Sequence, residues 1–190
     1  MQIAIIGWGS LIWDLEILAP HVNGGWQMGA GPDLPMEFSR VSPKRKMGLA
    51  VCLDPVHGVP CKTNVICSSR QALSEAVEDV ARRERAPVPQ IAWATKDKAH
   101  GALPAVVDAV QAWLIDSPYD AAIWTDLDAN FEGMTGQPFG IAAAIAHLKT
   151  LDTEQIAEAH RYIQEAPAAT DTPLRRTLSK NAWWQSLEAT

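Results

Sequence analysis

The chain opens on an unbroken apolar run, Ile3-Ala4-Ile5-Ile6, that stops abruptly at Gly7-Trp8-Gly9-Ser10. A short β-branched run without helical spacing predicts a buried strand. The two glycines predict a turn whose backbone adopts conformations closed to other residues. Further runs at 34–41, 47–53, 63–67, 91–94 and 121–124 predict more strands, the first two of these separated by the basic turn Ser42-Pro43-Lys44-Arg45-Lys46. Helical spacing takes over at 71–85, which Pro87 and Pro89 bring to a stop, and again at 103–114. The last third predicts helices at 140–148, 153–164 and 173–184, with Asp152 as an N-cap and Pro173 in a first turn. Strands cluster early and no regular βαβα alternation appears, so the expected class is α+β. The organisation expected is a single domain over 1–190: a strand-rich core at 1–130 with a helical C-terminal extension, 131–190, packed on it.

Composition narrows the function. Apolar residues form 47% of the 190 positions and charged ones 20%, enough for a proper core. A formal charge of −6 argues against nucleic acid, which requires clustered Lys and Arg. The basic groups Lys44-Arg45-Lys46, Arg82-Arg83 and Arg175-Arg176 are each short enough to be solvated surface. Three cysteines, Cys52, Cys61 and Cys67, contain no C-x-x-C pair and encode neither a disulfide frame nor a zinc ribbon. The first apolar run is far too short to span a bilayer, and no charged leader precedes it. A soluble, cytoplasmic protein with no membrane partner is expected.

Three readings of the candidate chemistry compete, two of them at the opening turn. A dinucleotide fingerprint needs a third glycine where Ile12 stands, and Pro20 with Gly24-Gly25 cuts short the helix that should follow. A nucleophile elbow around Ser10 needs glycines where Trp8 and Ile12 stand, and none of the five histidines sits in a partner motif. Ser10 reads more simply as a turn residue satisfying local backbone groups. A metal at Asp126-Leu127-Asp128 is the third possibility, but that spacing recurs in ordinary turns. No metal is expected.

The segment Gly7-Trp8-Gly9-Ser10-Leu11-Ile12-Trp13 resembles the opening Tyr-Gly-Ser-Leu loop of the γ-glutamylcyclotransferase-like superfamily, which includes the ChaC-type enzymes. Glu37-Phe38-Ser39-Arg40 is similar to the region after that loop, and the resemblance covers about the first 90 residues. It implies a mixed β-sheet or barrel with surrounding helices. It also implies one catalytic carboxylate near the end of a mid-chain helix, which corresponds here to Glu84. The activity implied is intramolecular aminolysis: the α-amine of a γ-glutamyl group attacks its own γ-carbonyl, closing 5-oxoproline and releasing an amine. Glu84 serves as general acid and base, the amides of Gly7, Trp8, Gly9, Ser10 and Leu11 bind substrate, and Arg40 is the candidate to grip its carboxylate. No metal or organic cofactor is required. The chain departs from the pattern at Trp8, where the family has tyrosine, and at Arg85, where related sequences have glycine.

Helical geometry bears on Glu84 independently. At about 100° per residue, Leu73, Val77, Val80 and Glu84 share one stripe, with Glu75, Glu78, Asp79, Arg82, Arg83 and Arg85 expected to point elsewhere. A carboxylate turned inward must be paired, solvated by a pocket or protonated. The bland alternatives stand beside each role: Glu84 can snorkel or pair with a neighbouring arginine, and Arg40 can be a strand-end arginine or bind a structural acid. A non-catalytic pocket for a small anionic metabolite remains the competing function. Trp183-Trp184 either docks the tail on the core or, if exposed, provides a self-association surface for a homodimer.

Overall fold

The computed structural model describes residues 1–187. In chain order its elements are β1 (Ile3–Gly7), β2 (Val22–Gln27), β3 (Asp33–Ser42), β4 (Gly48–Leu53), β5 (Val59–Lys62), β6 (Asn64–Ser68) and α1 (Leu73–Glu84). Then come β7 (Ile91–Thr95), β8 (Ala99–His100), α2 (Pro104–Asp116) and β9 (Ala121–Thr125). Five helices follow among the described residues: α3 (Phe131–Thr135), α4 (Ile141–Thr150), α5 (Thr153–Glu165), α6 (Pro173–Leu178) and α7 (Ala182–Ser186). The class is α+β, with a mixed sheet, and among the described residues neither sheet closes into a barrel. Among them, too, no helix is long and apolar enough to cross a membrane.

The chain forms two compact units, each assembled from separated segments. The first, Met1–Leu34 with Lys62–Leu127, holds a six-stranded sheet in the order β2-β6-β1-β9-β7-β8. β1 lies near its middle, antiparallel to β6 and parallel to β9, with Ile3 opposite Ala121 and Ile5 opposite Ile123. Every residue of β1 is buried, as expected of a continuous apolar run. Ile3, Ile5, Ile66 and Ile123 pack with Ala76, Val77 and Val80 of α1, which explains the apolar stripe of that helix. The edge strand β2 runs through Asn23-Gly24-Gly25, a stretch whose composition signals a break. Pairing to β6 with an irregular register between Asn23 and Gln27 accommodates these residues.

The second unit comprises Pro35–Cys61 and the chain from Asp128 onward. It is built on the sheet order β4-β3-β5, with α4 and α5 against β4. Two of the C-terminal helices thus pack on a sheet drawn from the second half of the first third of the chain. Asp152 caps α5 in a reciprocal box with Gln155, as its position predicted. The helix expected over 173–184 is two helices, because Asn181 turns its side chain onto the Trp184 N–H at 3.2 Å and starts α7 afresh. Trp184 is buried against His160 and Lys149 lies over Trp183, so the tryptophan pair packs onto its own unit. Arg175 of α6 donates to the carbonyls of Gln164, Ala166, Pro167 and Thr170, closing the segment that leaves α5.

Candidate functional site

The candidate site begins where β1 delivers the chain to its turn. Gly9–Ile12 is one tight helical turn, entered from an extended Trp8. Gly9 has φ of 57°, in the left-handed region that favours glycine. Gly7 answers a different demand, close packing: a Cβ there would stand 2.4 Å from the Trp26 ring. Gly7→Ala is therefore expected to cost about 1–3 kcal/mol in urea unfolding, since Trp26 must shift. A midpoint equal to the wild type's would show that the ring yields freely. Trp8, Ser10 and Leu11 are buried, and the Ser10 carbonyl accepts the Asp14 N–H at 2.9 Å.

The other half lies at the end of α1. The helix stops at Glu84 because Arg85 adopts φ of 55° and turns its N–H onto the preceding turn. That is the left-handed termination glycine favours, adopted here by an arginine. Arg85 itself reaches outward, 3.5 Å from Glu16, with most of its side chain exposed. The Glu84 side chain is only 16% exposed, and its Oε1 accepts from Arg83 Nη1 at 2.7 Å. Arg83 Nη2 donates to the Asp14 carbonyl and lies 3.5 Å from Ser10 Oγ. One guanidinium thus contacts both the acid and the turn.

The helical stripe needs correcting at this point. Asp79 and Arg83, expected to point away from the core, are more deeply buried than Glu84. Both are accommodated because both are paired. Asp79 accepts a two-armed contact from Arg70 and another from Arg82, and His21 lies 3.8 Å away. Burial pushes the Asp79 carboxyl up, but the Arg70 and Arg82 hydrogen bonds outweigh it and hold the group below the usual range. Its stabilising contribution is therefore present above the ordinary aspartate value of about 4 and fades as pH falls through the lowered native value. Asp79→Ala is expected to cost about 2 kcal/mol at neutral pH, because its arginine partners retain access to water. The gap between variant and wild type should close in acid; a gap constant with pH would contradict the pairing.

Arg40 lies in the second unit, where its guanidinium donates to the Asp128 carbonyl. The similarity-bearing segment around it contributes buried polar groups there. Glu37 accepts from the backbone N–H groups of Phe38 at 2.7 Å and Leu174 at 3.1 Å. Burial raises the Glu37 carboxyl, against the opposing hydrogen bonds from Thr172, Phe38 and Leu174. Ser39 Oγ lies 3.4 Å from Cys52 Sγ, whose thiol burial pushes up to about 11. Cys52 thus behaves as a small core residue rather than a nucleophile.

Asp126 uses its carboxylate to accept the Ala102 N–H, and among the described residues no three His, Cys, Asp or Glu side chains form a group that could hold a metal. A surface groove of about 450 Å³ along the end of α1 is lined by Arg82, Arg85, Ala86 and Val88, and Glu84 is not part of its lining. Arg83 and Asp14 are the site residues that sequence reasoning missed. The one signal for Arg83 was its spacing from Ala76 and Val80, which continues a second buried stripe. No protein-family model matches the chain, and neither a curated protein nor a solved structure matches it.

Proposed function

We propose that the protein is a γ-glutamylcyclotransferase-like enzyme of the cytoplasm that acts on a small γ-glutamyl amine or amide. The observation that carries this reading is the Arg83 guanidinium, which contacts Glu84 on one side and the Ser10–Asp14 turn on the other. A backbone rich in N–H donors and a carboxylate are the two parts that intramolecular aminolysis needs. An ammonium cannot attack a carbonyl, so Glu84 accepts a proton from the substrate's α-ammonium. The freed amine closes on the γ-carbonyl, and amides of the 7–11 segment stabilise the oxyanion that develops. Collapse of that intermediate breaks the γ-amide bond as Glu84 returns the proton to the departing nitrogen. The surplus proton of the ring nitrogen passes to the released amine, which leaves as an ammonium. The products are 5-oxoproline and a free amine, with no change of oxidation state and no water consumed.

Support also comes from the burial around the turn, which limits the water that would divert the reaction to hydrolysis. The test is 5-oxoproline release from a panel of γ-glutamyl amines and peptides by the native protein and by Glu84→Gln. Release by the native protein alone supports the mechanism. Equal release by both proteins refutes Glu84 as the acid and base, and no release from any substrate refutes the activity. Saturable binding of a γ-glutamyl compound without release would instead favour a metabolite-binding role.

A further inference from the structure

We propose that Arg83 is the positioning residue of this site, fixing the Glu84 carboxylate relative to the Ser10–Asp14 turn. The inference rests on reading Glu84 as the proton-transfer group. Glu84 is the last residue of α1, and the chain turns away immediately after it at Arg85. A glutamate at such an end has several rotatable bonds and no following helical turn to restrain it. The Arg83 contact at 2.7 Å supplies that restraint.

The choice of residue fits the task. A guanidinium is planar, with donors in a rigid fork, so holding one acceptor fixes the direction of the other arm. Arg83 spends one arm on the carboxylate and the other on the Asp14 carbonyl, within reach of Ser10 Oγ. The side chain that does this is 1% exposed, so the fork cannot swing into solvent. Burying a guanidinium is costly unless its donors are used, and here both Nη groups are used at the junction of acid and turn. Ser10 and Glu84 are 74 positions apart in the chain, and their alignment depends on this one side chain.

The test compares intact wild-type protein with Arg83→Gln and Arg83→Lys. With a γ-glutamyl substrate that turns over, Arg83→Gln is expected to lower kcat by roughly 10- to 100-fold and leave KM within about twofold, because alignment rather than binding is lost. Arg83→Lys should recover part of kcat. A second readout does not depend on turnover: carbodiimide-mediated coupling of a small amine to carboxylates, mapped by mass spectrometry. Labelling of Glu84 should rise several-fold in Arg83→Gln and less in Arg83→Lys, while exposed Glu75 and Glu78 on the same helix label as in the wild type. Unchanged Glu84 labelling overturns the inference, as does a parallel rise at Glu75 and Glu78, which marks general loosening. If the native protein releases no 5-oxoproline, the proposed activity fails while the labelling still decides whether Arg83 holds Glu84.

Discussion

Glu84→Gln is expected to reduce 5-oxoproline release by roughly 10²- to 10⁴-fold, the range lost when a positioned acid or base is removed. The substitution is nearly isosteric. A glutamine carbonyl can still accept from Arg83 Nη1, which bonds Glu84 at 2.7 Å, so the side chain stays in place. What disappears under the proposed mechanism is the ability to take a proton from the ammonium and return it to the leaving nitrogen. The loss should therefore fall on kcat, with KM little changed. Shortening the side chain with Glu84→Asp keeps a base but pulls it from the guanidinium, and an intermediate rate is expected. Full activity in Glu84→Gln would move the proton-transfer role to another group.

The largest expected effect on stability is at Arg175. Arg175→Met should cost about 3–4 kcal/mol, read as a lowered urea midpoint. The guanidinium serves four carbonyls, those of Gln164, Ala166, Pro167 and Thr170, at distances of 2.6–3.2 Å. Methionine fills much of the volume and satisfies none of them, and each buried carbonyl left without a donor costs about 1–3 kcal/mol. Burial pulls the Arg175 pKa down, with Asp171 opposing, as expected of a cation held mainly by backbone oxygens. Lysine has a single ammonium that cannot reach all four, so Arg175→Lys should recover half the loss or less. A cost below about 1 kcal/mol for Arg175→Met would show that water replaces the guanidinium readily.

Much of the fold was legible because period and composition agreed. The runs at 34–41, 47–53 and 121–124 became β3, β4 and β9, and the stripe Leu73-Val77-Val80 faced the core of its unit. β2 was missed because Asn23-Gly24-Gly25 signals a turn, and only the neighbouring β6 makes a strand of it. The division of α6 from α7 was missed because apolar spacing continues across the Asn181 cap. At the site, Gly9 and Glu84 stood out from local rules, left-handed backbone and helical spacing. Arg83 and Asp79 did not, because they lie outside the Leu73-Val77-Val80 stripe and so read as solvent-facing. Their burial depends on partners such as Asp14 and Arg70 that are distant in position or outside the helix.

The placement of β1 near the middle of its sheet also bears on how the protein is made. This strand leaves the ribosome long before its parallel neighbour β9, which begins only at Ala121, and the Gln2 N–H meets the Asp120 carboxylate 118 positions later. Until then Ile3-Ala4-Ile5-Ile6 keeps the edge opposite β6 open, a template for pairing with another nascent chain. Pairing across so long a separation is slow. Slowing translation between β6 and β9 should therefore lower the yield of correctly folded protein, and a chaperone that shields the opening strand should restore it.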